Sequence, residues 1–308
     1  MIKVSVIMTT YNGEAFVSEQ LESICSQTMT PDEILIFDDR SSDDTVVTMN
    51  RIIERYSEIP IKLIVNQQNL GWQKNFYYGI NQCNGEYIFI ADQDDIWEPK
   101  KIERMIQVME ERPDIQLLAS NYDIVNNRMG AVNEYKYSRG FVNDSSLLRV
   151  EFSPKFYFVC RPGCTYCIRK ELFLLAKKSW VELLPHDELL CVYGVVTNSF
   201  YILNESLIRF RRHNNNASGL NRSMDVNERI ISCETQRRFI ENVLNDECLE
   251  LDEMHRKELQ AYVDYQKRRI GILKTPSVCK WINVFIRYYR FHFSVKSAVK
   301  DLIVAYNK

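Results

Sequence analysis

Short apolar runs alternate with amphipathic stretches along the first 120 residues of the chain. The runs are rich in β-branched and aromatic residues and are bounded by turn residues, which predicts strands. The stretches between them repeat apolar residues at helical spacing, as Val46, Met49 and Ile53 do. Strands that alternate with helices of this length predict an α/β fold, with a mostly parallel sheet that helices cover on both faces. The predicted strands are 3–8, 33–37, 61–65, 86–91 and 115–120.

The pattern changes twice beyond residue 120. Residues 121–215 combine short strand signals with turns, and after the polar stretch 214–223 the chain has helical periodicity to its end with few glycines. We therefore expect one domain over residues 1–220 and a helical C-terminal add-on over residues 221–308.

The C-terminal stretch carries a strong local charge imbalance. Between Lys267 and Lys308 there are ten Lys or Arg residues and one acid, Asp301, with aromatic and aliphatic residues interleaved. This pattern suits a basic amphipathic helix that contacts an anionic membrane or a partner. It suits equally well a helical hairpin that packs on the main domain and has a basic outer face.

Composition limits the classes of protein to consider. The 308 residues are 45% hydrophobic and 26% charged with a net charge of −2, which is typical of a globular protein and unlike a general nucleic-acid binder. No run has the roughly 18 apolar residues of a membrane span, and the amino terminus lacks signal-peptide features. Nine cysteines, an odd number, fit reduced thiols. We expect a cytoplasmic protein, located at the inner face of the membrane if the basic tail binds lipid.

Three carboxylates directly follow the fourth predicted strand. The apolar run 86–91 ends at Asp92-Gln93-Asp94-Asp95, where such a strand would leave the core. Ligands bind at the carboxyl ends of strands in open α/β sheets, and clustered carboxylates repel one another unless a divalent cation neutralises them. The spacing therefore predicts a site for a metal-bound diphosphate. The alternative is an acidic turn that caps a helix starting near residue 97.

Four segments follow one another in the order and at the separations of a known enzyme family. They are VSVIMTTYNG (4–13), DEILIFDDRSSDDT (32–45), NQQNLGWQKN (66–75) and NGEYIFIADQDDIWEPKKI (84–102). They closely resemble the family 2 glycosyltransferases of bacterial polysaccharide and glycoprotein glycan synthesis. The resemblance implies the GT-A fold, a nucleotide-binding α/β sheet. It covers about the first 110 residues continuously and weaker landmarks to residue 219.

The resemblance implies a nucleotide site at the ends of the first two strands. Thr9, Tyr11 and Asp39 correspond to positions that hold the nucleotide base and ribose. Tyr11 offers an aromatic face to a base, and Asp39 can accept a hydrogen bond from the imide N–H of uracil or thymine.

The resemblance also implies a metal site at the acidic motif. Asp92 and Asp94 correspond to the carboxylates that hold a Mn²⁺ or Mg²⁺ ion and the ribose-diphosphate of the donor. Gln93 is among the expected donor-binding residues, and Asp95 is a neighbouring support. The metal would neutralise the charge that develops on the departing nucleoside diphosphate.

A basic segment resembles the landmark R-x-H-x-x-N-x-x-G, which closes the site in rhamnosyl- and galactosyltransferase-like sequences. Within RFRRHNNNASG (209–219), His213 would ligate the metal, and Arg209, Arg211 or Arg212 would reach the diphosphate. The alternative is a basic strand end that packs on the helical tail.

The segment LPHDE (184–188) resembles a late H-D element in which the Asp is the general base. Inverting members of the family need a base that removes the proton of the acceptor hydroxyl. We expect Asp187 to be this base, with His186 beside it and Glu188 as the competing candidate. The alternative is that the segment only begins a helix. Gly163 corresponds to a loop near the acceptor.

The chain also has features of other protein classes. Cys160, Cys164 and Cys167 have the C-x-x-x-C-x-x-C spacing that is associated with the iron–sulfur clusters of radical enzymes. Buried cysteines also act as small hydrophobic residues, which is the plainer interpretation. A non-catalytic nucleotide-sugar-binding protein is a further alternative, although the acidic and base residues favour chemistry. The turn 9–13 lacks the glycine-rich, basic phosphate loop of a nucleotidyltransferase.

These observations together predict an inverting, metal-dependent glycosyltransferase that moves one hexose onto a hydroxyl of a growing surface glycan. A UDP-sugar is the expected donor, with UDP-galactose or UDP-glucose first and dTDP-rhamnose as the alternative. The acceptor glycan would be attached to a lipid carrier or a glycoprotein, and no nucleic-acid partner is expected.

Overall fold

The computed structural model of the protein describes residues 3–126, 141–213, 225–292 and 294–306. Within these residues nine strands form one sheet, and ten α-helices surround it. The strands are β1 Val4–Thr10, β2 Glu33–Asp38, β3 Ile61–Val65, β4 Tyr87–Ala91, β5 Ile96–Trp97, β6 Leu117–Asn126, β7 Leu147–Arg149, β8 Tyr166–Arg169 and β9 Phe200–Arg212. The helices are α1 Val17–Cys25, α2 Thr45–Arg55, α3 Trp72–Gln82, α4 Lys101–Glu111, α5 Lys170–Ala176, α6 His186–Val196, α7 Val226–Leu244, α8 Glu253–Lys274, α9 Val278–Arg287 and α10 Val295–Tyr306.

The sheet is mostly parallel, with short antiparallel strands in its second half. Its order is β3-β2-β1-β4-β8-β6-β9-β5, and β7 pairs with β9 beside this path. The strands β3, β2, β1 and β4 are parallel, β8 is antiparallel to both β4 and β6, and β6 pairs with β9 in parallel. The carboxyl ends of β1, β2 and β4 therefore lie at one edge, where open α/β sheets bind ligands. The α/β prediction is confirmed, and the antiparallel strands are β5, β7 and β8.

Both faces of β1, β2 and β4 are buried. All seven residues of β1 are buried, and successive side chains point to opposite faces. Val6 and Met8 belong to the core that α1, α2 and α4 complete, and Ile7 belongs to the core that α3, α5 and α6 complete. A strand covered on both sides reads as a nearly continuous apolar run, which is why the signals of these strands are strong.

Sequence and structure differ where an element is too short or too polar to show periodicity. Ile96 and Trp97 form the unpredicted strand β5, which pairs with β9, because two residues cannot display a strand period. Helix α4 begins at Lys101 and not near residue 97, where the helix-cap alternative starts it. Strand β6 runs past the predicted end at residue 120 to Asn126.

The helices that follow residue 225 pack on the sheet domain through a shared core. Phe239 of α7 and Tyr262 of α8 lie in the same apolar cluster as Leu189 and Tyr193 of α6. The predicted C-terminal helices are therefore confirmed. The predicted boundary near residue 220 falls outside the described residues and stays a prediction. No helix in the described part of the chain is both long and apolar enough to cross a bilayer.

A buried ion triad joins three of these helices. Asp301 of α10 is buried, its Oδ1 lies 2.6 Å from Arg229 Nη1 of α7, and its Oδ2 lies 2.9 Å from Arg269 Nε of α8. Removing one partner of such a group would leave a buried charge uncompensated, so the triad fixes how these helices meet. Asp301, the one acidic residue of the basic C-terminal stretch, thus has a structural role.

Gly85 provides a test of how β4 is held against β1. A Cβ at this position would lie 2.6 Å from Ser5 N and 2.5 Å from Ser5 Oγ, and Gly85 N donates to that hydroxyl at 2.7 Å. We expect Gly85→Ala to lower the free energy of unfolding by about 1–3 kcal/mol, since backbone must shift. Chemical denaturation measures the change.

Gly271 on the exposed side of α8 is the matched control. A Cβ there meets nothing within 4 Å, so Gly271→Ala should raise the free energy of unfolding by about 0.5–1 kcal/mol. Equal effects of the two substitutions would contradict the close approach of the turn at Gly85 to β1.

Candidate functional site

The carboxyl ends of β1, β2 and β4 open onto one cavity of about 410 Å³. Its wall combines residues from the sheet edge with residues from α3, the turn before β8 and the start of α6. The predicted site residues that line it are Thr9, Tyr11, Asp39, Asp92, Gln93, Asp94, Gly163, His186 and Asp187. Residues that are nearly 180 positions apart in sequence thus border a single space.

Asp39 lies at the end of β2 and holds the loop before α3. Its Oδ1 accepts hydrogen bonds from Leu70 N at 2.7 Å and Asn66 Nδ2 at 3.0 Å, and its Oδ2 accepts one from Gly71 N at 2.9 Å. Gly71 has a φ of 83°, a conformation that favours glycine. A carboxylate offers about four acceptor positions, so Asp39 can accept one further hydrogen bond from a ligand.

Gln93 holds the segment that carries Tyr11. The Gln93 side chain accepts a hydrogen bond from Tyr11 N at 2.8 Å and donates one to Tyr11 O at 3.1 Å. A Cβ at Gly13 would collide with Gln93 Oε1, so a larger residue there would displace this amide. Gln93 was expected to bind the donor directly, whereas its amide in this structure is engaged with Tyr11 and positions its half-exposed ring.

Carboxylates gather at the end of β4. Asp92, Asp95 and Cys164 have ligand atoms within 4.8 Å of one another, the one such group of three His, Cys, Asp or Glu side chains among the described residues. Burial, together with repulsion from Asp94 and Asp187, raises the pKa of Asp92 to about 7. The same causes, burial first and then Asp94 and Asp92, raise the pKa of Asp95 well above its usual range. The corner therefore holds more negative charge than the protein alone neutralises.

Lys101 lies beneath this acidic corner and was not anticipated. It is fully buried, its Nζ donates to Cys164 O at 3.0 Å, and it lies 4.5 Å from the centroid of the Trp97 ring. Burial lowers the pKa of Lys101 to about 8, although the nearby acidic groups oppose the shift. Helical spacing could have indicated it, because position 101 falls on the same face of α4 as Met105 and Val108.

His213 follows β9 and lies against the acidic corner. Its Nε2 is 2.8 Å from Asp94 Oδ2, and its ring stacks on Phe16 with centroids 4.4 Å apart. Two neighbouring ligands of an octahedral ion with bonds of roughly 2.1 Å lie about 3 Å apart. The pair Asp94–His213 therefore matches the spacing of two cation ligands, whereas Asp92, the third predicted ligand, forms its close group with Asp95 and Cys164 instead. Residues 214–219 of the predicted landmark lie outside the described residues.

The three arginines of that landmark have separate surroundings. Arg211 is buried, donates from Nε to Asp94 O at 3.0 Å and from its backbone N to Asp95 Oδ1 at 3.1 Å. Arg209 Nε donates to Glu98 Oε1 at 2.8 Å, and the Arg212 guanidinium lies 4.7 Å from the Phe210 ring centroid. Arg211 supports the backbone of the acidic motif, and none of the three arginines lines the cavity.

The two base candidates face different parts of the molecule. Asp187 lines the cavity, and burial raises its pKa to about 6. Glu188 is buried beside Gln236 and Tyr262 and does not line the cavity. Burial, followed by repulsion from Asp187, raises the pKa of Glu188 to about 8. A group that titrates near pH 6 is mostly ionised at neutral pH, which is what a base requires. The geometry favours Asp187.

The iron–sulfur alternative has no structural support. Cys164 and Cys167 are buried in the core on one face of the sheet. The three thiols of Cys160, Cys164 and Cys167, all described, do not come within 4.8 Å of one another as a group. Burial raises the pKa of each, so none is a ready thiolate ligand.

Comparisons with known proteins agree with this geometry. The family model described as "Glycosyl transferase family 2" matches residues 5–165. The dTDP-rhamnosyl transferase RfbG of Shigella flexneri is 32% identical over 226 residues, which is 70% of this chain and 74% of that protein. The UDP-Glc:alpha-D-GlcNAc-diphosphoundecaprenol beta-1,3-glucosyltransferase WfgD of Escherichia coli is 35% identical over 124 residues, 40% of this chain and 47% of that protein.

A solved structure has a similar fold. The crystal structure of S. aureus TarS 1-349 in complex with UDP-GlcNAc superposes with a TM-score of 0.67, at 20% sequence identity, over 93% of this chain and 80% of that one. At this identity the likeness concerns the fold alone.

Proposed function

Because the chain belongs to glycosyl transferase family 2, we propose that it is a metal-dependent inverting transferase that moves one hexose from a nucleoside diphosphate to a glycan hydroxyl. The predicted family, the GT-A fold and a glycosyltransferase activity are confirmed by the comparisons. The observation that carries the finer proposal is the single cavity bordered by the nucleotide residues, the acidic corner and Asp187.

The nucleotide would bind at the ends of β1 and β2. Tyr11 offers a half-exposed ring on which a base can stack, and Asp39 has one acceptor position left for an imide N–H. Thr9 lies beside them in the cavity wall. Uracil and thymine share this imide, so these residues accept either base.

Asp92, Asp94 and His213 would hold a Mn²⁺ or Mg²⁺ ion. When bound, the ion neutralises the charge that develops on the leaving diphosphate. Asp94 and His213 already lie within 2.8 Å of each other, and the charges around Asp92 make a cation favourable there. Arg211 keeps the backbone of Asp94 and Asp95 in place.

Asp187 would act as the general base. It accepts the proton of the acceptor hydroxyl as the oxygen attacks the anomeric carbon from the side opposite the diphosphate, which inverts the configuration. Asp187 and Asp92 line the same cavity, in which the sugar would lie between the base and the acidic corner.

Two donors fit the proposal. A UDP-hexose, galactose or glucose, is supported by the UDP-Glc donor in the name of the WfgD relative. dTDP-rhamnose is supported by the RfbG relative, which aligns over more of the chain. The aromatic side chains of Trp72 and Phe76 in the cavity also suit the methyl group of a 6-deoxyhexose. The acceptor would be a glycan on a lipid carrier, as in the name of WfgD, or on a glycoprotein.

The C-terminal helices would place the enzyme on an anionic membrane, at its cytoplasmic face. One side of α9 packs inward, as the packing alternative predicts, but Val278, Ile282 and Ile286 remain exposed on the other side with Tyr289 just beyond the helix. The sequence 276–300 holds five Lys or Arg residues and no acid. An exposed apolar stripe among cations suits insertion between anionic headgroups.

The first test is release of nucleotide from UDP-galactose, UDP-glucose and dTDP-rhamnose, with Mn²⁺ or with EDTA. We expect release from one donor, loss of release with EDTA, and loss in Asp94→Asn, because the ion and its ligand stabilise the leaving diphosphate. The same rate in EDTA would contradict a metal-dependent reaction.

Asp187→Asn tests the base. Because general-base catalysis typically supplies about 10²–10⁴-fold, kcat should fall by that range while the Kd of the donor changes little. Glu188→Gln is the control, since this side chain does not line the cavity, and it should retain kcat within a few-fold. A larger loss of kcat in Glu188→Gln than in Asp187→Asn would move the base to Glu188.

The membrane proposal is tested by sedimentation with vesicles of phosphatidylglycerol and phosphatidylcholine. Replacing Ile282 and Ile286 with Ser should weaken binding by tenfold or more, since each buried isoleucine contributes about 1.5–3 kcal/mol. Ile231→Ser on α7, also an exposed isoleucine, is the matched control. Unchanged sedimentation of the double variant would favour a purely structural tail.

A further inference from the structure

The cavity has an aromatic end beside the base. Trp72 and Phe76 of α3, Pro162 and Gly163 before β8, and His186 at the start of α6 line it there. The His186 ring packs against Phe76 with centroids 4.1 Å apart and faces the edge of Trp72 at 6.3 Å.

His186 has two hydrogen-bonding atoms without a partner. The residue is 5% exposed, and neither Nδ1 nor Nε2 has a hydrogen bond with any described residue. Burial lowers the pKa of this imidazole to about 3, so at neutral pH one nitrogen donates and the other accepts. Polar groups are rarely buried without a partner, so this ring is suited to a ligand that enters the cavity.

The nearby asparagines already have partners. Asn75 Nδ2 donates to Phe37 O at 2.9 Å, and its Oδ1 is also engaged. Asn69 Nδ2 donates to Asp39 O at 3.2 Å. Among the buried side chains that line the cavity in the described part of the chain, His186 is the one whose polar atoms have no partner.

Gly163 lies directly against the imidazole. A Cβ at this position would collide with His186 Nε2 and lie 3.2 Å from Asp187 Cβ. A larger residue would therefore push the imidazole from its place beside the base.

We propose that His186 binds a ring hydroxyl of the transferred sugar and that Phe76 and Trp72 pack against the apolar side of the same ring. A sugar hydroxyl both donates and accepts, which matches a neutral imidazole. The anomeric carbon must lie between the diphosphate at the acidic corner and Asp187, and His186 directly precedes Asp187. This inference rests on the proposed function and adds a residue that recognises the sugar and not the nucleotide.

The test compares nucleotides with and without the sugar. Isothermal titration with Mn²⁺ present gives the Kd of UDP, UDP-glucose, dTDP and dTDP-rhamnose for the full chain and for His186→Phe, which retains a ring without the nitrogens. For the sugar nucleotide that the wild type turns over, we expect an affinity loss of about 5- to 30-fold in the variant. The affinity for the matching nucleoside diphosphate should change less than twofold.

Two further variants separate sugar binding from structure. Gly163→Ala, whose Cβ would displace the imidazole, should give the same selective loss. His255→Phe is the matched control, because His255 is also buried and packs on an aromatic ring, Phe152, at 4.1 Å, but does not line the cavity. It should bind every ligand as the wild type does.

Three results would overturn the inference. The first is that His186→Phe binds the sugar nucleotide as tightly as the wild type does. The second is that the variant loses as much affinity for the nucleoside diphosphate as for the sugar nucleotide. The third is that the variant changes only the KM of the acceptor, which rises. The last would assign the imidazole to the acceptor sugar. If the wild type itself binds none of the four ligands, the proposed function fails as well. If the wild type binds and His186→Phe binds equally well, only the role of His186 fails.

Discussion

Repulsion among the carboxylates at the end of β4 is the constraint on which the rest of the site depends. Asp92, Asp94 and Asp95 follow one strand, and Asp187 borders the same cavity. The fold holds this charge in place with Lys101 beneath it and with Arg211, which binds the backbone of Asp94 and the side chain of Asp95. Such an arrangement is stable at neutral pH only if protons or a cation balance it.

The sheet explains how distant residues reach this corner. Parallel pairing of β1, β2 and β4 brings three strand ends to one edge, and antiparallel β8 lies next to β4 so that the turn before it reaches the cavity. The result is a cavity with an acidic end and an aromatic end, which we propose receive the diphosphate and the sugar. Helix α6, which carries the proposed base Asp187, also shares a core with α7 and α8, so the C-terminal helices support its position.

Much of the fold and the cavity wall could be predicted from sequence because buried parallel strands give continuous apolar runs and a ligand site follows their ends. The contacts between residues that are distant in sequence could not be predicted. The engagement of Gln93 with Tyr11, the buried position of Lys101 and the pairing of Arg209 with Glu98 all join residues through tertiary packing. Strand β5 could not be predicted because two residues are too few to show the alternation of a strand.

The most direct test of the account is the affinity for Mn²⁺, measured by calorimetry at pH 8 and pH 6. Since burial and neighbouring carboxylates raise the pKa of Asp92 to about 7, a cation must displace a proton at the lower pH. The account predicts affinity about tenfold weaker at pH 6 than at pH 8, and little binding by Asp94→Asn at either pH. Equal affinity at both pH values, with Asp94→Asn binding Mn²⁺ as the wild type does, would contradict it.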